Sequence, residues 1–285
     1  MELAIQIIVL LLIVVIGYLI FKTYKETLDF KGLVLTSMFV LISVILSAYL
    51  SFRFGFAGGS MVVIGFSQLP LILMGALLGP AWGFIGAVAQ DLILLFVSPT
   101  GFPFAGFTLN KIMVTLIPAF WFRSKKIEGK ALVLLSQLLI AFSYVSTIIL
   151  LFQEGDIVIE SLVINTFWKV LLAIVLFVLM GGLIYAIYYI YNKDKDNPKY
   201  KDMSLLIISI VSVEILVQYL MTPFWLNIMY KTPYLTNLMV RLLKGGFMII
   251  LNVLISTNIY FILDKLIVSM IRKKNTDKSV DEIEQ

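Results

Sequence analysis

Residues 65–111 read GFSQLPLILMGALLGPAWGFIGAVAQDLILLFVSPTGFPFAGFTLNK, and this stretch decides how the chain folds. Two apolar segments meet at Gly79-Pro80, a pair suited to end one helix and start the next. The second segment carries an acid, Asp91, and runs into a loop of proline and glycine with Phe102, Phe104 and Phe107. A helix expected to begin at Thr108 bears Lys111 in its first turn. An acid at mid-depth in a lipid-facing helix costs about 2.5–3.5 kcal/mol on insertion scales, so it asks for a reason. The stretch reads as one wall and the lid of a ligand pocket.

Composition supports a membrane setting. The chain is 61% hydrophobic with a mean hydropathy of +1.02, where soluble proteins average about 45–50% apolar. It reads as an all-α, polytopic integral membrane bundle. Cysteine and histidine are both absent. Disulfides, thiol nucleophiles, Cys/His zinc sites, haem ligation by these residues and the commonest general base are thereby excluded. No metal and no cofactor is expected. The net charge of +5 fits cations held beside a cytoplasmic leaflet better than nucleic-acid binding. Glu2 to Phe21 lacks a basic leader and a small-residue cleavage site, and its apolar run of about 20 residues is long enough to span. It is expected to be an uncleaved helix with its N-terminus outside.

Nine apolar segments follow from windowed hydrophobicity: 3–21, 33–50, 61–78, 81–97, 108–122, 131–152, 161–191, 203–221 and 237–263. Sixteen Lys and Arg residues fall in the loops and tail of one side, against Arg53 and Lys231 on the other. This bias predicts nine spans with the C-terminus cytoplasmic, in the cell membrane. The tail after Lys274 is polar and is expected to be disordered.

Four cations stay inside apolar segments: Lys111, Lys169, Arg241 and Lys244. At about 1.5 Å per residue, Asp91 lies roughly 10 Å below the outer end of its helix. Lys111, Arg241, Lys244, Glu214 and Gln218 share that outer half, and Arg53 is in the first outer loop. Arg241 and Lys244 are three apart and project from one face. Arg53, Lys111, Arg241 and Lys244 set against Asp91 and Glu214 leave a surplus of +2, which suits an anionic ligand. Internal pairing is the competing account, with Asp91–Lys111 and Glu214–Lys244 bridges and Arg241 reaching outward. For Lys169, alone on its segment, a structural role is expected. Phe224, Trp225, Tyr230 and Tyr234 are placed in the last outer loop, where an interfacial aromatic belt competes with a stacking role for them. Phosphate-loop, HExxH and GxSxG motifs are all missing, so the chain reads as neither an ATPase nor an enzyme, and no catalytic residue is expected.

Gly65-Phe66, Leu69-Pro70, Gly75, Gly79-Pro80, Gly83, Gly86, Asp91, Pro99-x-Gly101 and Gly106-Phe107-Thr108-Leu109 together resemble the S components of energy-coupling factor (ECF) vitamin transporters. The late stretch PFWLNIMYKTP at 223–233, followed by Arg241-x-x-Lys244, is similar to the folate-specific S component in particular. There a tryptophan-bearing helix end precedes a Tyr-Gly-x-Pro turn and an Arg-x-x-Lys helix. The resemblance covers about 33–122 and 205–255, roughly half the chain.

It implies a six-helix membrane core that takes a vitamin from outside. It also implies partnership with a transmembrane coupling subunit and two cytoplasmic ATPases, and toppling of the S component in the bilayer to carry ligand inward. The candidate ligand-binding residues are Arg53, Gln68, Asp91, Phe102, Phe104, Phe107, Thr108, Lys111, Trp225, Tyr230, Arg241 and Lys244. The small-x-x-x-small pair that meets the coupling subunit appears as Ser37-x-x-x-Leu41, with Ser43-x-x-x-Ser47 further along. Val63 stands where the folate pattern has arginine, and Lys231 replaces the turn glycine.

On this reading 1–31 is an extra N-terminal helix, 32–123 holds core helices 1–4, and 124–202 is an inserted two-helix segment with its linker. Residues 203–270 hold core helices 5–6, and 271–285 form a polar cytoplasmic tail. The expected cargo is folate. The alternatives are another vitamin such as riboflavin, or a stand-alone transporter with Asp91 or Glu214 as proton carrier.

Overall fold

Gly79 has a φ of 91°, which a side chain would resist, and its N–H closes the preceding helix on the carbonyl of Gly75. Pro80 then opens the next helix at its first position. Around this turn a computed structural model describes residues 2–24, 28–56, 60–98, 103–123, 129–153, 157–159, 162–193 and 198–281.

Among these residues the chain is a helix bundle with two short hairpins at one end. Helix α1 (Glu2–Thr23) and α2 (Phe30–Tyr49) lead into strands β1 (Phe52–Phe56) and β2 (Ser60–Ile64). Then come α3 (Gln68–Leu78), α4 (Pro80–Val97), α5 (Ala105–Arg123) and α6 (Gly129–Gln153). Strands β3 (Ile157–Ile159) and β4 (Leu162–Ile164) precede α7 (Thr166–Lys193) and α8 (Pro198–Val213). A π-helical segment, Glu214–Met221, passes directly into α9 (Thr222–Tyr230), and α10 (Tyr234–Asp281) ends the described chain. Both hairpins are antiparallel, Phe52 facing Ile64 and Ile157 facing Ile164, and β1 touches β3.

Eight helices among the described residues are long and apolar enough to cross a bilayer. The protein is an all-α, multi-pass membrane bundle. The segment 61–78 is not one spanning helix as its hydrophobicity implied. Val62, Val63 and Ile64 pair with β1, Gly65 and Phe66 break the chain's course, and only 11 residues form α3. At about 1.5 Å per residue that is roughly 16 Å, half of a hydrocarbon core. Helix α5 begins at Ala105 rather than Thr108, so Lys111 falls in its second turn. Phe224, Trp225 and Tyr230 belong to α9 and not to a loop. Helix α10 extends to Asp281, into the segment expected to be disordered, and no glycine or proline interrupts 264–281.

Small residues set the central contact. The Cα of Gly75 on α3 lies so near α5 that a Cβ would come 1.9 Å from the Thr115 carbonyl oxygen. Gly83 on α4 approaches the same Thr115, whose hydroxyl donates to the Gly83 carbonyl at 3.0 Å. Three helices thus cross at one point with almost no side chain between them. Helix α1 lies on α4 and α5, with Gly17 against the ring of Phe84. Helices α6 and α7 pair with each other, and α6 lies on α8 and α10. In the apolar window of Lys201–Tyr230, 83% of the residues are buried, against 17% in that of Thr166–Tyr189. The segment carrying the π-helix is therefore central and α7 is peripheral.

Gly75→Val is expected to cost about 3 kcal/mol or more through overpacking, read as a lower thermal midpoint or loss of monodisperse protein in detergent. Gly181→Ala and Gly182→Ala on α7, where a new Cβ meets nothing within 4 Å, should leave the midpoint unchanged or raise it slightly.

Candidate functional site

A cavity of about 460 Å³ opens between the two halves of the sequence. Its first wall is made by α4 and α5, through Asp91, Leu94, Phe107, Asn110 and Lys111. The second comes from the π-helical segment, α9 and α10, through Gln218, Thr222, Tyr230, Arg241 and Lys244. Gln68 at the start of α3, with Gly65 and Ser67 before it, closes a third side. Among the described residues, three cations and one carboxylate line the space.

Helix geometry explains the first wall. Asp91 and Thr108 come level where α4 and α5 run side by side, and the Thr108 hydroxyl donates to Asp91 Oδ2 at 2.6 Å. Lys111, one turn further along α5, lies within electrostatic reach of Asp91. Phe104 is buried, packing edge-on against Phe107 at 5.9 Å and against Trp225 at 5.6 Å. Gly106 permits this, because a Cβ there would sit 2.3 Å from the Phe104 ring and 2.6 Å from that of Trp225. The start of α5 is therefore pinned beneath two aromatic rings.

Asn110 joins the walls. It is buried on α5, donates from Nδ2 to the Thr222 hydroxyl at 3.0 Å and accepts from Trp225 Nε1 at 3.0 Å. Thr222 in turn donates to the Val217 carbonyl in the π-helical segment at 2.7 Å. One side chain thus ties α5 to α9 and to the wide-pitch turn before it. After α9 the chain reverses through Lys231, which adopts φ 55° in the left-handed region. Asn227 Nδ2 donates to the Thr232 carbonyl, and Asn237 Nδ2 to the Thr232 hydroxyl at 2.7 Å, stapling this reversal. That reversal aims the first three turns of α10 into the cavity, through Asn237, Arg241 and Lys244. Arg241 Nη1 donates to Gln218 Oε1 at 3.0 Å, while its Nε has no hydrogen-bond partner. Glu214 lies behind the cations, buried and not lining the cavity, within electrostatic reach of both Lys244 and Arg241.

Of the residues singled out in the sequence, Gln68, Asp91, Phe104, Phe107, Lys111, Tyr230, Arg241 and Lys244 line this one cavity. Thr108 reaches it through Asp91, and Trp225 supports it from behind through Asn110. Phe102 lies outside the described residues. The backbone of Arg53 pairs with Val63 in the hairpin, and its side chain lies outside the described set. Ser37 and Leu41 lie on the exposed side of α2. Ser43 turns inward, its hydroxyl donating to the Ser67 carbonyl at 2.7 Å, and Ser47 lines the cavity. Lys169 is buried on α7, away from these walls.

Asn110, Thr222 and Asn237 were not anticipated. An uncharged amide inside the apolar run of α5 was the one available signal for Asn110. The π-helical pitch has no marker in the sequence.

Chemically, the cavity combines aromatic walls, amides able to donate and accept, and a cationic end on α10. No cluster among the described residues is suited to a metal ion. Models of known protein families and the sequences of curated proteins give no match to this chain.

Asn110→Leu should lower stability by about 1–3 kcal/mol, since it strands the Trp225 N–H in the interior. Lys231→Gly should raise it by about 1 kcal/mol by relieving the left-handed backbone. Both are read as shifts of the thermal midpoint in detergent.

Proposed function

We propose that this chain is the membrane-embedded substrate-binding subunit of an ECF-type transporter importing a vitamin, with folate as the leading cargo. The observation that carries the reading is the meeting of two distant motif stretches, 65–111 and 225–244, around one cavity. Those are the two stretches whose residues resemble the S components. The Phe104, Phe107 and Tyr230 rings together with Arg241, Lys244 and Lys111 in the lining suit a flat heteroaromatic ligand that ends in a carboxylate. Helices α2, α3, α4, α5, the α8–α9 unit and α10 would be the six-helix core. Helices α1, α6 and α7 would be additions to it.

Energy would come from two separate cytoplasmic ATPases through a coupling subunit, because the sequence carries no phosphate loop. The exposed side of α2 with Ser37 and Leu41 is the proposed contact for that subunit, while Ser43 and Ser47 serve the interior. With α3 and the hairpin before it together counted as a ninth crossing, the N-terminus would lie outside and the C-terminus in the cytoplasm of a cell-membrane protein. Another vitamin such as riboflavin remains the nearest alternative. A proton-coupled carrier is the second reading, favoured by the burial of Glu214. Uptake by the protein alone in liposomes under a proton gradient would select it.

Protein purified from cells supplied with folate should retain folate, detected by mass spectrometry of the released ligand. Arg241→Ala and Lys244→Ala should each weaken binding about tenfold or more, as loss of a charged hydrogen bond does, with Lys169→Ala close to the parent. Tight retention of a different vitamin, with none of folate, would overturn the folate assignment.

A further inference from the structure

Glu214 has no place in the cavity lining, yet its surroundings are tied to that cavity. It is 2% exposed, and its Oε1 has no hydrogen-bond partner. Arg241 is 8% exposed, and its Nε is equally without a partner. An acid and a guanidinium within electrostatic reach of each other therefore stop short of closing a bridge through these two atoms. In a bilayer interior such an arrangement is costly, since neither charge recovers its lost hydration through these two atoms. Lys244, one turn from Arg241 on α10, feels the same carboxylate.

The remaining neighbours do not neutralise it. From its own segment Tyr219 lies within electrostatic reach, but it is an uncharged phenol, and its hydroxyl accepts from Ser143 of α6 at 3.2 Å. Tyr144 of α6, which interacts with Tyr219 rather than with the acid, donates to the Gly246 carbonyl. Arg241 spends Nη1 on Gln218, which lines the cavity beside it. Two cations thus stand between a buried carboxylate behind them and an open cavity in front.

We propose that Glu214 is an internal counter-ion that competes with the ligand's carboxylate for Arg241 and Lys244, and so sets how strongly the cavity attracts anions. The proposal rests on reading the cavity as a site for an anionic ligand. The carboxylate holds the cations at reduced positive potential while the cavity is empty, and an entering anion shares them with it. Removing a unit charge several ångströms from the ligand's carboxylate, at an effective dielectric of about 20, changes affinity by about tenfold or more. A neutral ligand in the same cavity feels no such change. That difference separates an electrostatic role from a merely structural one.

The test uses the full chain in detergent, with benzoate as a simple aromatic anion and benzyl alcohol as its neutral counterpart. Affinities are measured by calorimetry, and thermal midpoints are recorded alongside. Glu214→Gln should bind benzoate about tenfold or more tightly than the parent, with benzyl alcohol unchanged. Glu214→Asp, which keeps the charge but draws it back by one methylene, should fall between the two. It also supplies the comparison if the glutamine variant does not fold. Benzoate affinity that is unchanged or lower in the variants, a parallel change in both probes, or no benzoate binding by any form would overturn the proposal. Folate binding by the parent protein is scored separately: its absence counts against the vitamin reading, while the benzoate comparison still decides the role of Glu214.

Discussion

The contact of α3 with α5 at Gly75 and Thr115 is the constraint on which the rest of the molecule depends. Backbones that approach this closely fix the depth at which α3 stops, and Gly79 with its positive φ then turns the chain straight into α4. Because Gly83 meets the same threonine, α4 and α5 run in fixed register. That register brings Asp91 level with Thr108 two turns away, and with it the acid and lysine of one cavity wall. A bulky residue at any of these three positions would separate the helices and dissolve the alignment above.

The second wall is held by different means. It depends on polar links between elements far apart in sequence, with Asn110 as the shared node for Thr222 and Trp225. In a low-dielectric interior such links are strong when complete and expensive when broken. Glycine contacts therefore set the spacing within the first wall, and one amide sets the distance to the other. Helix α1 reinforces the first wall from outside, where Gln6 Nε2 donates to the Pro103 carbonyl at 3.2 Å beside Phe104. Helix α6 supports the second from behind, through Tyr144 and Ser143.

How much of this was legible follows from what each signal measures. Hydrophobic windows located the segments that became the eight long helices, since apolar length is what a bilayer demands. The same windows misread 61–78, because they weigh Val62, Val63 and Ile64 as they weigh leucine and ignore their fitness for a strand. Charges and aromatics in apolar surroundings pointed to the charged and aromatic side chains of the cavity lining, as their burial demands a partner or a ligand. Asn110 was overlooked because an uncharged amide draws no attention in a charge count. The start of α5 was placed three residues late, because Gly106 reads as a breaker until its packing under Phe104 and Trp225 is known.

The π-helical segment carries a consequence for how this protein can change over generations. Its i→i+5 pattern over Glu214–Met221 accommodates extra backbone between α8 and α9 without breaking the spanning unit. Deleting a single residue there would let the segment relax to ordinary pitch and rotate everything after it by about a quarter of a turn or more. Gln218, Thr222 and Trp225 would then leave their partners together. Point substitutions can therefore tune this wall gradually, whereas a one-codon deletion would rebuild it in a single step. Lineages that keep the cavity are bound to keep the length of this segment, whatever they do to its side chains.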